Sequence, residues 1–320
     1  MNFYNLNNIS EIDIKYPDIY FTPEYGKACE YSDNAEWELC KFKDLIYVYL
    51  KRPIKCDNII YYDLITPYGY SGYYYEKEDT FNEFINIFRK EARNRNYITE
   101  VVRQNPYIGI NIENYDIITT KTIYGVEIND YNYYYTKILK HSPRHKIKMA
   151  NKLGLTFHYK LIEKNDLSYN NYFRKIYNET MNNIKTTKYY YFNDKYFEKI
   201  ENINNAYIIY IKNKNNIIIG SSIIFIYNKY IHYHLSCNDK SVSCITDILL
   251  TNVIKFLSIN KLFILGGGLK DGDGLSYFKK RLSNKEYKYT IYKNILNKEI
   301  YDKLSKDIEN NNIFPLYRKI

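Results

Sequence analysis

AYIIYIKNKNNIIIGSSIIFIYNKYIHYHLSCNDKSVSCITDILLTNVIKFLSINKLFILGGG, residues 206–268, holds most of what the chain says about its fold. Apolar residues alternate over Ala206–Ile211, Ile217–Ile226 and Tyr230–Cys237, with the polar turns KNKNN and Asn228-Lys229 between them. A period of two bounded by turn residues predicts three strands. After the loop NDKSVSC, residues Ile245, Ile248, Leu249, Val253 and Leu257 recur at helical spacing, so a helix is expected near Ile245–Ser258. A further strand, Lys261–Leu265, runs into Gly266-Gly267-Gly268.

The same order occurs upstream, offset by about 165 residues. Strands are expected at Glu36–Phe42, Leu45–Arg52 and Asn58–Leu64, followed by the loop TPYGYSGYYYEKE. A helix from Asp79 to about Arg93 carries Phe81, Phe84, Ile85 and Phe88 on one stripe, with Asp79 as its N-cap. Strand Tyr97–Arg103 then stops at the turn signal Asn105-Pro106. Between the copies lies ILKHSPRHKIKMANKLG, a helix with Ser142 as N-cap, Pro143 in the first turn and Gly154 at the stop. The expected division is an N-terminal domain at 1–140, a linker helix at 141–154 and a C-terminal domain at 155–320, with the C-terminal tail packed on either. A meander ending in a β-α-β unit must cover its sheet with helices, giving a mixed α/β (α+β) fold.

Composition constrains function less than its extremes suggest. The chain has 320 residues, 41 of them Tyr, and a formal net charge of +10. Asn, Ile, Lys and Tyr share A/T-rich codons, so much of this reads as genome bias rather than as a nucleic-acid footprint. Gly, Arg and Pro are scarce, and therefore informative: five of the 12 glycines fall within Gly266–Gly274. The five cysteines show no CxxC spacing, which argues against a zinc site or a disulfide framework and fits a reducing compartment. The N-terminus lacks a signal-peptide core, and the most apolar stretch, 217–227, is too short to span a bilayer. The expected location is cytoplasmic, with association at a membrane surface left open.

Five segments resemble the FemAB-type transferases and their acetyltransferase-fold relatives. These are YDLITPYGYSG (62–72), EVVRQNP (100–106), SPRHKIKMANKLG (142–154), LGGGLKDGDGLSYFKKRLS (265–283) and FPLYR (314–318), in the family's order and spanning nearly the whole chain. The resemblance implies two tandem GNAT-like domains, each a mixed, mostly antiparallel sheet flanked by helices. It also implies transfer of an acyl or aminoacyl group to an amino group of a cell-envelope precursor such as an amino sugar or peptide of peptidoglycan. The co-substrate would be acyl-CoA or aminoacyl-tRNA, with no permanently bound cofactor. The partners would be an amine-bearing small or lipid-linked substrate and tRNA, but no DNA. One departure matters: NDKSVSCITD has no glycine where an acetyl-CoA enzyme carries its pyrophosphate loop. A second reading is a catalytically silent GNAT-fold protein that binds a nucleotide-linked glycan or a protein partner.

Amine acylation needs a neutral amine, a held carbonyl and a stabilised oxyanion. An amine of pKa ~10.4 is neutral in about one molecule in a few thousand at pH 7, so the site must help. In a GNAT sheet the donor enters where neighbouring strands part, which here means Tyr230–Cys237 and Lys261–Leu265. His232, His234 and Ser236 alternate and are expected on one face. The histidines are the catalytic candidates, as a proton relay or simply a polar face among tyrosines, and no third ligand suggests a metal. Ser236, Gly266, Gly267, Gly268, Lys279 and Arg281 are candidates for the donor, the glycines by close backbone approach and the cations by meeting phosphate. Thr66, Tyr68, Tyr70 and Arg103 are candidates for the acceptor, through hydroxyls, a flat wall and an anion partner. Arg144 and Lys148 join them from a basic helical stripe shared with His141, His145 and Lys152, which equally fits a solvated face.

Overall fold

The computed structural model describes residues 1–108, 110, 112, 115–184, 187–239, 242, 244–309 and 313–318. Lys240, Ser241 and Ser243 of the glycine-free loop lie outside them. In chain order the elements of the first part are β1 (Asn2–Asn5), α1 (Pro23–Asp33), β2 (Glu36–Phe42), β3 (Leu45–Cys56), β4 (Ile59–Ile65), β5 (Gly72–Tyr74), α2 (Glu78–Asn94) and β6 (Tyr97–Arg103). Next come β7 (Asp116–Glu127), α3 (Tyr131–Tyr133), α4 (His141–Lys152), β8 (Thr156–Leu161), α5 (Tyr172–Asn183), α6 (Asp194–Ile200), β9 (Ala206–Lys212), β10 (Ile218–Tyr227) and β11 (Tyr230–Asn238). The rest are α7 (Ile245–Phe256), β12 (Leu262–Gly266), α8 (Gly274–Lys280), β13 (Lys285–Ile295) and α9 (Lys298–Ser305). No helix among the described residues is long and apolar enough to cross a membrane.

The chain forms two compact units, one of residues 1–120 with 289–320 and the other of residues 121–288. The helix read as a linker, α4, lies inside the second, and the tail at 313–318 belongs to the first. There Arg318 Nε donates to Asp63 at 2.6 Å, sharing that buried carboxylate with Arg52.

The expected repeat is present. In the first unit β2, β3 and β4 pair antiparallel and β4 pairs parallel with β6. In the second, β9, β10 and β11 pair antiparallel and β11 pairs parallel with β12. Each sheet is then extended by a strand from a distant stretch of sequence: β13 lies antiparallel to β6 at 291–295, and β7 antiparallel to β12 at 124–127. A boundary at 140–154 thus marks the sequence repeat, whereas the compact units each recruit a strand across it.

The apolar stripes do what their spacing dictates. Phe81, Phe84, Ile85 and Phe88 of α2 pack on Tyr47, Tyr49, Tyr73 and Tyr97. Ile245, Ile248, Leu249 and Val253 of α7 pack on Ile209, Ile224, Ile231 and Phe263. The helix caps lie two residues earlier than expected. Lys77, not Asp79, precedes α2, and Asp44 from a distant turn accepts the amides of Glu76 and Lys77 and the hydroxyl of Thr80. Likewise Lys140, not Ser142, precedes α4. Gly154 ends that segment with φ +64°.

Candidate functional site

The parallel pair of the second unit opens partway along. β11 and β12 pair through Tyr230–Leu262, Ile231–Phe263 and His232–Ile264, and no further among the described residues. β11 then runs on to Asn238 while β12 ends at Gly266. The register between β10 and β11 shifts at this level: Ile223 faces Leu235 and Ile224 faces Tyr233, leaving His234 as an extra, bulged residue. A bulge bends its strand and re-aims the side chains beyond it.

That bulge separates the three alternating polar residues. His234 keeps to the side of Phe225, its ring centroid 4.5 Å away, with Nε2 2.7 Å from the Tyr196 hydroxyl. Ser236 opposes Ser222, which by alternation shares its face with Ile224 and hence with Tyr233. Ser236 therefore does not share a face with the histidines, as a plain period of two would have it. Burial first, and the neighbouring His232 second, push the His234 imidazole down to about 3. His234 is thus neutral at physiological pH and locked by Tyr196. His232 is equally buried.

Lys279 of α8 is the cation at the opening. Its Nζ donates to the Gly267 carbonyl at 2.8 Å, just past the end of β12. It also lies 5.9 Å from the ring centre of Tyr233, the first β11 residue beyond the last strand pair. The side chain is buried, and burial, helped by nearby Lys121 and opposed by Asp273, brings its amine down to about 7. An ammonium with one carbonyl partner in an apolar setting loses solvation that nothing fully replaces. The sequence placed this lysine on a solvated or phosphate-facing turn; the structure puts it inside.

The glycine cluster builds that seat from the chain's own atoms. Gly266 has φ +79°, a left-handed conformation that glycine adopts without strain. A Cβ on Gly267 would fall 2.6 Å from the Thr122 carbonyl oxygen of β7, and one on Gly268 2.2 Å from Asp273 Oδ1. Asp273 in turn caps α8 by accepting the Ser276 amide and also accepts the Lys270 and Leu269 amides of the preceding loop, and these bonds hold its carboxyl below the usual range. Gly266–Gly268 thus set the position of α8, and with it Lys279.

Arg281 is paired rather than open. It donates to Asp247 Oδ1 at 2.6 Å, and Lys146 of α4 donates to Oδ2 at 2.6 Å. Asp247 is buried in the first turn of α7, where the helix dipole favours an anion. Cys244 precedes that helix without capping it by a side chain. Along α4, Lys148 is exposed and Arg144 half-buried.

In the first unit the other candidates cluster at the end of the β4–β6 pair. The Arg103 amide donates to Thr66 Oγ1 at 2.9 Å and its guanidinium to the Thr66 carbonyl at 3.0 Å. Tyr68 accepts the Tyr25 hydroxyl on its carbonyl at 2.7 Å. Tyr70 packs edge-on against Tyr20, Tyr107 and Tyr289, with centroids 5.9, 6.0 and 5.3 Å away. Gly69, at φ +108°, lets the loop pass over Tyr20, where a Cβ would come within 2.4 Å of the ring. Asp18, buried beneath, accepts the Tyr20 amide. Sequence reading missed Asp18, Tyr20, Tyr196, Tyr233 and Asp247. In a chain with 41 tyrosines no single one stands out, and the two aspartates sit in segments without a motif.

No family model and no curated protein matches the sequence. Solved structures do match. FemX has a TM-score of 0.67 at 11% identity, over 90% of this chain and 95% of that one. L-PGS from Bacillus licheniformis has 0.51 at 14% identity, over 87% and 94%. A C-terminal domain ascribed to a lysylphosphatidylglycerol synthetase of Agrobacterium fabrum has 0.55 at 12% identity, over 86% and 87%. Over nearly its whole length the chain therefore has the fold of the FemX structure, the mixed α/β, tandem GNAT-like architecture of FemAB-type proteins.

Proposed function

We propose that the chain is a transferase that moves an acyl or aminoacyl group from an activated carrier to the amino group of a cell-envelope precursor, such as an amino sugar or peptide. One observation carries the reading: β11 and β12 part after His232 and Ile264, and the buried Lys279 Nζ touches both sides of the opening. The donor's carbonyl enters there. Attack by the amine forms a C–N bond and puts a negative charge on the carbonyl oxygen. A protonated Lys279, with little water around it, stabilises that charge. Poised near 7, the protonated group can give its proton to the departing carrier oxygen or sulfur as the ester or thioester bond breaks, and the amine so formed then takes the proton that the newly acylated nitrogen sheds. Thr66, Tyr68, Tyr70 and Arg103 are the proposed acceptor residues.

For the carrier, aminoacyl-tRNA or another phosphate-bearing donor is favoured over free coenzyme A. The loop before α7 has no glycine to wrap a pyrophosphate, and Asp247 already occupies its first turn with both nearby cations. The silent-binding alternative draws on the same missing loop. A labelled pool of aminoacyl-tRNA, incubated with the full chain and an amino-sugar or peptide acceptor, separates the two. Transfer that is lost in Lys279→Met is expected. Donor binding without transfer in the wild type means a binding protein, and micromolar binding of coenzyme A by calorimetry overturns the carrier assignment.

A further inference from the structure

A surface of the second unit that takes in the end of the 142–154 segment combines exposed apolar groups with lysines. Phe256, the last residue of α7, is 52% exposed and stacks on Phe157 of β8 at 5.9 Å and 11°. Phe157 also meets Tyr159, itself 49% exposed, at 6.0 Å. Leu153, 44% exposed, follows α4. Beside the stack a pocket of mixed lining opens between α4 and α7, with Ile147, Leu155 and Ile248 next to the polar Asn151, Asn252 and Lys255. Nothing in the sequence's amphipathic patterning requires these side chains to be outside, and β8 pairs only with β9 among the described strands.

Lysines border this face. Lys255 Nζ lies 4.7 Å from the Phe256 ring centre. Lys152 is exposed one residue before Leu153. Lys214 comes within 3.7 Å of where a Gly154 Cβ would be, whereas Lys212, paired with Thr156 and near the Tyr210 ring, lies on the opposite face of the sheet from Phe157 and Tyr159. No acidic residue lines the pocket. Lys160, at the far end of β8, is the lysine there that has an acidic partner, Asp166 at 2.8 Å.

We propose that this face docks on an anionic lipid surface, with Phe256, Leu153 and Tyr159 entering the headgroup region and Lys152, Lys214 and Lys255 meeting the lipid phosphates. A second copy of the chain fits poorly, because a two-fold contact would set three lysines against three. RNA would be served by the lysines and could stack bases on the rings, but it would leave the aliphatic Leu153 wet. Aromatic rings at headgroup depth with lysines that reach outward suit a bilayer surface on both counts. The inference is independent of the transfer chemistry.

The test is co-sedimentation of the full chain with vesicles at low ionic strength. Binding to equal parts phosphatidylglycerol and phosphatidylcholine is expected, fading as salt is raised, with none to phosphatidylcholine alone. A phosphate-proximal lysine contributes about fivefold to such partitioning, so Lys152→Gln with Lys255→Gln lowers it by about 25-fold. Leu153→Ser with Phe256→Ser lowers it at least about tenfold. Both pairs are surface changes and keep the melting temperature. Failure to bind anionic vesicles, or binding that survives both pairs, overturns the proposal. So does a loss of self-association or of tRNA binding in these variants with vesicle binding intact.

Discussion

The β4–β6 pair of the first unit and the β11–β12 pair of the second begin alike and end differently. β4 and β6 pair from Tyr62–Tyr97 to Ile65–Val101, and then the seam is stitched further. The Thr66 amide donates to the Val101 carbonyl at 3.1 Å, the Arg103 amide to Thr66 Oγ1, and the Asn105 amide to the Ser71 carbonyl at 2.8 Å. β11 and β12 stop at the third pair, and beside the opening sits a lysine instead of an arginine–threonine clamp. One repeat has been closed into scaffold and the other kept open. The closing residues are ordinary in type, so the difference lies in which backbone groups find a partner, since buried amides and carbonyls are rarely left without one.

This contrast can be broken most directly at Lys279. Lys279→Met should lower the transfer rate by about 10² to 10³-fold, the effect of removing one oxyanion donor, with the far-ultraviolet spectrum unchanged. Retained turnover would mean that the opening is not where the chemistry happens. The same variant sharpens the contrast through pH. The folded amine titrates at about 7 and the unfolded one near ~10.4, so between these values the unfolded chain binds the extra proton. Wild-type stability must then rise with pH across that window, and the full penalty of the buried charge is felt below it. Denaturant midpoints should therefore favour Lys279→Met at pH 6 by a few kcal/mol, with the gap shrinking toward pH 10. A constant gap would show that the amine is not desolvated.

Smaller effects follow for the seat and for the clamp. Gly267→Ala drives a Cβ into the Thr122 carbonyl, so a loss of about 1–3 kcal/mol and a displaced α8 are expected, read as a lower melting temperature together with lower activity. Thr66→Val removes the acceptor of the Arg103 amide and should cost about 1–3 kcal/mol. It should leave donor binding by the second unit within twofold in a filter assay. Equal damage to donor binding by Thr66→Val would erase the distinction between the two pairs.

Much of the scaffold was legible because alternation is a local signal. β2 and β6 match their expected bounds to the residue, and the order of strands and helices in both repeats is as read. What escaped was set by distant partners. Asp44 caps α2 from over thirty residues away, so the local Asp79 was a natural but mistaken choice. β7 and β13 mix Lys, Thr and Tyr in a chain saturated with them, and their alternation did not stand out. The tyrosine surplus itself was read as codon bias, yet Glu100 is buried under the hydroxyls of Tyr47, Tyr73 and Tyr115, and Glu38 under those of Tyr49 and Tyr97. In the site, a one-residue bulge at His234 moved Ser236 to the other face. Lys279 was picked out as a cation near the glycines, but its burial depends on a fold of residues 265–279 that spacing alone does not specify.

The recruited strands have a consequence for the order in which the protein is made. β6 gains its antiparallel neighbour only from residues 291–295, so the first unit's sheet stays incomplete until those residues have left the ribosome. The second unit, contained in 121–288, has every strand it needs earlier. Domains ordinarily mature from the N-terminus as synthesis proceeds. Here the segment synthesised first must wait, with the flank of β6 unpaired, for a strand that arrives after its neighbour is already whole. A ribosome that has extruded the chain only as far as residue 288 would display a finished second unit and a first unit with an open sheet edge, the surface on which strands from other chains add.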